Sequence, residues 1–357
     1  MSQEKIHRDY TRKWEDTVFT LNKLKKFVRT KHFSLLVLLA LIVIFFWATS
    51  KNHSYLKPNN IRNILNAMVI YTLLAVGGGM VIISGGIDLS PGYIGTACGA
   101  VLAALLAATS LPWFVVVIIC LAIGAAFGVL NAVLINELKF QGFIATLAVG
   151  SFLAGGFSYI VVSGKTLEIK DPTLVAIGSG RIGGFLPYAV IISLVVIAVY
   201  GVILKKTKFG RSVYLVGGGK EAARLAGISP RMMSYILYAN SGMLGALAGI
   251  LYDARLAAGN LTGTNLHSFP AITAAILGGL SLGGGHGDMF GCFLGLLIIS
   301  AFNNGLTVLG VSPYWQSVAS GLLLLLALTL DYFTKRGGLG IKRKRRASKS
   351  DAATIGG

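Results

Sequence analysis

Few groups in this chain are able to do chemistry. Five histidines (His7, His32, His53, His267, His286), three cysteines and 13 acidic residues are spread over 357 positions. Acid–base or nucleophilic work needs a nucleophile, a base and an orienting group within reach of one another. In "GGIDLSPG" (85–92) Asp88 and Ser90 stand close together, but no histidine lies at a usable spacing, and the five are too scattered to form a metal set. Cys98, Cys120 and Cys292 fall inside apolar runs; an odd number of thiols so placed reads as small core residues, not as a disulfide framework. "GGGK" (217–220) resembles the end of a phosphate loop. That motif needs Ser or Thr after the lysine and a glycine where Tyr214 stands; here Glu221 follows the lysine. The pattern predicts neither catalysis nor a nucleotide site in this polypeptide.

The polar residues suggest contact instead. In "LVGGGKEAARLAGISPRM" (215–232), Gly219 is placed to N-cap a helix and Lys220 to Ala226 are helix formers. Gly227 suits a left-handed C-terminal position, and Pro230 forbids continuation. This predicts a short bounded helix whose small side (Ala222, Ala223, Leu225, Ala226) a groove could receive, with Glu221 and Arg224 at the rim. A mere connector needs no such bounding. For Asp88 and Ser90 two readings stand side by side: they cap the next helix, or they line a cavity, since irregular polar backbone is tolerated in a membrane only where protein or water covers it. Asn131, Asn240, Ser241, Asn303 and Asn304 are amides and a hydroxyl that either tie helices together or line a hydrated path for a polyhydroxylated solute. Tyr314, Trp315 and Gln316 lie at the outer end of the last apolar run, where an aromatic belt is expected.

The elements carrying these residues are membrane helices. The chain is 54% hydrophobic and 13% charged, with mean hydropathy +0.73, values outside the range of soluble domains. Apolar runs long enough for about 30 Å of hydrocarbon occur at 33–49, 64–84, 93–109, 113–134, 143–163, 187–204, 233–252, 267–283, 287–304 and 314–333. The expected fold is therefore all-α and polytopic, with about ten transmembrane helices. A basic amphipathic segment (1–32) precedes the permeation domain (33–333), and a basic tail (334–357) follows it. The net charge of +19 does not point to nucleic acid, because most Lys and Arg cluster in three places: nine in 1–32, seven in 205–231 and eight in 335–349. With ten spans all three clusters fall on one side, as the positive-inside rule requires, so both termini and the loop 205–232 are expected in the cytoplasm.

No Asp, Glu, Lys, Arg or His lies between the ends of these ten runs; Asp88, Asp253, Asp288 and Asp331 stand at their edges. That leaves little for an ion-coupled carrier to work with. Gly124 and Gly128, Gly245 and Gly249, and Gly291 and Gly295 predict close helix packing within one subunit. "ISGGIDLSPG" (83–92) and "ILGGLSLGGG" (276–285) form a weak internal echo, each closing one run and opening the next.

Three blocks, "ISGGIDLSPG" (83–92), "FGRSVYLVGGGKEAARLAGI" (209–228) and "AITAAILGGLSLGGGHGDMFGCFLGLLIISAFNNGLTVLGVSPYWQ" (271–316), resemble, in the same order, the permease subunits of bacterial ABC importers for ribose, xylose, arabinose or galactose. The likeness runs from Ile64 to Asp331. It implies a multi-pass protein of the bacterial cytoplasmic (inner) membrane that pairs with a second permease copy or a related permease. It also implies a cytoplasmic ABC ATPase that uses ATP and Mg, so that no cofactor is bound by this chain, and a periplasmic or lipid-anchored sugar-binding protein. The resemblance makes Gly219, Glu221, Ala222, Ala223, Arg224 and Gly227 the ATPase-coupling helix. It makes Asp88, Ser90, Asn131, Asn240, Asn303 and Asn304 candidates for the translocation path, and Tyr314, Trp315 and Gln316 candidates to face the binding protein. Gly219-Lys220 departs from relatives that carry Asn at the first of these places.

Overall fold

The computed structural model describes residues 31–259 and 263–312 and, beyond them, 314–316, 318–319, 321–322, 325–326 and 329. Nearly all of the basic leader, half of the last expected span and the basic tail lie outside the described residues. Among the described residues twelve α-helices dominate: α1 (Lys31–Thr49), α2 (Pro58–Ile83), α3 (Pro91–Ala108), α4 (Trp113–Asn136), α5 (Gly142–Val161, with a π turn at Leu153–Phe157), α6 (Pro172–Ser179), α7 (Tyr188–Lys206), α8 (Lys208–Gly218), α9 (Lys220–Leu225), α10 (Pro230–Leu256), α11 (Ser268–Leu277) and α12 (Met289–Val308). Eight of them (α1 to α5, α7, α10 and α12) are long and apolar enough to cross a membrane.

Two helices organise the rest. Every residue of α2 from Met68 to Ile83 is buried, which is how a helix apolar on all sides must be used. Beside it α10, 27 residues or about 40 Å long, packs against α2, α3, α4 and α6. Small residues permit that crowding. A Cβ on Gly124 would lie 2.6 Å from Gly242 O, and one on Gly95 would lie 2.6 Å from Gly245 O, so the backbones are in contact. Gly249 and Gly295 are likewise closed in by Gly95 and by Ala274. All three predicted glycine pairs pack inside the subunit.

The run at 267–283 is only partly helical: its helix, α11, is ten residues, about 15 Å, too short to span by itself. α11 begins where Thr264 Oγ1 donates to Gly92 O at 2.7 Å and Asn265 N–H donates to Thr96 Oγ1 at 3.1 Å. Gly92 belongs to the first turn of α3, and the preceding Pro91 lies against Gly245, roughly halfway along α10. Two helix starts thus meet at mid-height, α3 running one way and α11 the other. The segment still passes from one end of the molecule to the other, since Ala258–Gly259 pairs with Leu167–Glu168 at one end and Gly285 reaches Ile83 beside Gly217 at the other; hydropathy does not show that only part of it is helical.

Opposite the loop 205–232, the connection between α5 and α7 carries structure of its own. β1 (Leu167–Glu168) pairs antiparallel with β4 (Ala258–Gly259), and β2 (Arg181–Ile182) forms a hairpin with β3 (Leu186–Pro187). Asp171 caps α6 by accepting from the Thr173 and Leu174 N–H groups at 3.0 and 2.9 Å.

Candidate functional site

The cation-rich loop 205–232 is built largely as its sequence predicts. Gly219 is the N-cap of α9. At the other end Gly227 takes φ +76°, where an L side chain is strained. Its N–H donates to Arg224 O at 2.9 Å and that of Ile228 donates to Ala223 O at 2.9 Å, closing the helix. Two details differ from expectation. Ala223 is fully buried and anchors the helix from beneath, so it is no part of the offered surface. Pro230 opens α10 as well as ending the loop, with Ser229 Oγ accepting from Met232 N–H. What α9 presents is Ala222 and Leu225, the latter 91% exposed. Glu221 and Arg224 pair with each other at 2.8 Å; this exposed i,i+3 pair contributes little stability. Leu225, named with the small face in the sequence, is the most exposed large apolar side chain of the loop.

The loop is wired to the interior one turn earlier. Gly217, in α8, stands against Ile83 O and Gly285 N so tightly that a Cβ there would overlap both. Gly285 N–H itself donates to Ile83 O at 2.8 Å. The two echoing glycine segments therefore touch, with Gly284 against Gly85, and α8 is wedged onto both.

From Ile83 the chain turns at Gly85 and climbs back to the α3 start. There Asp88 Oδ1 accepts from the Ser90 N–H at 2.9 Å and from the Ser90 hydroxyl at 2.6 Å. Asn131 Nδ2 donates to Ser90 Oγ at 2.8 Å. Leu89 N–H donates to Thr146 Oγ1, and the Tyr238 hydroxyl donates to Ile87 O. Asp88, Ser90, Asn131 and the neighbouring Ser241 are all buried. Asp88 thus holds the N–H and hydroxyl of Ser90, the N-cap of α3, while neither side chain bonds to the first-turn N–H groups of that helix.

The other amides lie apart from it. Asn240 Oδ1 accepts from the Tyr200 hydroxyl on α7. Asn303 Nδ2 lies 3.5 Å from Tyr71 Oη, and Asn304 Oδ1 accepts from Asn60 Nδ2 at 2.8 Å near the ends of α2 and α12. Of six residues expected along one path, three form one cluster, Asn240 ties α10 to α7, and Asn303 and Asn304 both tie α12 to α2. Tyr314 and Trp315 are exposed, while Gln316 Nε2 donates to Val311 O at 2.9 Å. Asp253 sits at a span edge as expected, in the last turn of α10, and is buried against Gly99. Among the described residues no three of His, Cys, Asp and Glu gather as metal ligands, and the three cysteines are free and buried.

Comparison with known proteins fits this architecture. Residues 60–328 match the family described as branched-chain amino acid transport system / permease component. The ribose import permease protein of Haemophilus influenzae is 35% identical over 83% of this chain and 92% of its own length. Its Bacillus subtilis counterpart is 36% identical over 82% and 91%. The xylose transport system permease protein of Haemophilus influenzae is 31% identical over 87% and 98%. With three-quarters of its length matched by one pattern and multi-pass helices throughout, this chain belongs to the branched-chain amino acid transport system / permease component family and is a transport permease, not an enzyme.

Proposed function

We propose that the chain is the translocation subunit of an ATP-driven importer for a monosaccharide in the bacterial cytoplasmic membrane. The observation that carries this reading is α9: a six-residue helix, closed at both ends and presenting an exposed leucine from the end of the molecule rich in Lys and Arg. A leucine so placed is stabilised by a partner's groove. A cytoplasmic ABC ATPase, using ATP and Mg, supplies that groove and the energy. A periplasmic or lipid-anchored binding protein delivers the sugar near Tyr314, Trp315 and Gln316, and a second permease copy completes the path. Although the family's description names amino acids, relatives named for ribose, xylose and galactose import cover nine-tenths of their own length in the match, which favours a sugar.

Sidedness is read from charge. His32, at the start of α1, lines the same cavity as Lys205, Lys206 and Arg211, so the first helix starts at the coupling-loop end. The positive-inside rule makes that end cytoplasmic.

Uptake of labelled ribose, xylose and galactose by cells expressing the permease with its ATPase tests the reading. Glu221→Ala and Gly227→Val are expected to insert normally, lose the ATPase on purification and abolish uptake. Normal association and uptake in both variants overturns the coupling assignment. Uptake by the permease alone in liposomes under an ion gradient overturns the ATP-driven reading.

A further inference from the structure

Two cavities open at the coupling-loop end, and their charges are disposed differently. In one, of about 570 Å³, Arg224 is paired with Glu221 and Arg231 with Glu137, Lys139 Nζ donates to Asn136 O, and Lys220 also lines the wall. The other, of about 710 Å³, lies between α1, α7, α8 and the start of α12. Lys205 and Lys206 at the end of α7 and Arg211 on α8 line it, and none of the three forms an ion pair among the described residues. Its one acid, Asp288, is already engaged: it accepts from the Gly291 N–H at 2.8 Å and lies 3.2 Å from His32 Nε2. The Tyr214 hydroxyl is likewise spent on Gly287 O at 2.7 Å.

The rest of the wall is apolar: Ala198, Gly201, Val202, Met289 and the exposed Phe290. Continuing from it, Val202, Val199 and Val195 form an exposed stripe up α7, away from the cations. Lysines in a last helical turn are stabilised by the helix dipole alone, but that does not call for a cavity floored with apolar groups and rimmed by three unpaired cations. An amphiphile with an anionic head does. The geometry points to a binding site for one anionic phospholipid, its phosphate held by Lys205, Lys206 and Arg211 and an acyl chain lying along Val202, Val199 and Val195. The chain's own leader is the poorer occupant, since residues 1–32 carry nine basic side chains against four acidic ones and would be repelled. Because Arg211 and Tyr214 lie on the helix that wedges Gly217 against Ile83, an occupied site braces the element leading into the coupling loop.

Native mass spectrometry of the full chain tests this, with protein delipidated in neutral detergent and titrated with dioleoyl phosphatidylglycerol or dioleoyl phosphatidylcholine. The wild type is expected to retain phosphatidylglycerol preferentially. Lys205→Ala/Lys206→Ala/Arg211→Ala is expected to bind it on the order of 100-fold less tightly. The charge-matched Lys51→Ala/Lys165→Ala/Lys170→Ala, with all three changes outside the cavity, is expected to match the wild type. If the first triple variant does not fold, Lys206→Glu alone reads the same loss. Equal retention by both triple variants overturns the site. So does displacement of the lipid by equimolar inorganic phosphate, which would mark a free-anion site, or a cross-link from a photoreactive group at Val202 to residues 1–30.

Discussion

Gly217 lies against the carbonyl of Ile83 with no room for a side chain, although 134 positions of sequence separate them. The contact joins the helix before the coupling loop to the turn that sets where α3 begins. Its neighbour Gly218 has nothing within 4 Å of an added Cβ. The pair makes an internally controlled experiment. Overpacking at a tight backbone contact costs about 1–3 kcal/mol, so Gly217→Ala is expected to lower sugar uptake on the order of tenfold, with membrane insertion retained. Gly218→Ala should stay near wild type. Uptake equal in the two variants would show that motion of α9 reaches the interior by another route.

Leu225 offers a cleaner test of docking than the charged rim. At 91% exposure it makes almost no contact within the chain, so Leu225→Ser should leave the melting temperature of the isolated permease unchanged. If the side chain fills a partner's groove, the change removes up to about 1.5–3 kcal/mol of apolar burial. Co-purification with the ATPase is then expected to weaken by roughly tenfold or more. Unchanged recovery of the complex would place the docking surface elsewhere.

At the start of α3, Asp88 Oδ1 accepts two hydrogen bonds from Ser90, and an amide oxygen can accept both. Asp88→Asn should therefore fold nearly as the wild type does. Asp88→Ala strands the buried Ser90 N–H and hydroxyl, at a cost of about 1–3 kcal/mol for each donor left unmade. Thermal unfolding in detergent separates the two variants. Equal midpoints would mean that Ser90 finds other acceptors.

How much of this was legible in the sequence depends on how local the cause is. α9 could be read because Gly219, Gly227 and Pro230 act on their own few residues. Gly124, Gly245 and Gly291 marked packing faces because spacing alone puts small residues in line. Asp88 and Ser90 were visible as a pair, yet Asn131, 41 positions away in the same cluster, was only one amide among several. Thr264, which ties the α11 start to Gly92 across 172 positions, carried no signal at all. The run around α11 looked like one full helix because the glycine-rich turn after Leu277 is apolar enough to prolong it past the helix's end.

The contact between α3 and α10 supports one more prediction. Gly249 is held so close to Gly95 that an added Cβ would lie 2.8 Å from Gly95 Cα and nearer still to its carbonyl. That contact is backbone to backbone, so no side chain can swing aside, and α3 would have to move away from α10. Gly249→Ala is therefore expected to destabilise by about 1–3 kcal/mol even though Ala has the higher helix propensity by about 1 kcal/mol. In the π turn of α5, Gly155 has nothing within 4 Å of an added Cβ and does not need positive φ. Gly155→Ala should be neutral or stabilising by a few tenths of a kcal/mol, through reduced freedom of the unfolded chain. Chemical denaturation of the two variants in detergent reads opposite signs if the packing is as described. A stable Gly249→Ala protein would show that α3 and α10 stand further apart.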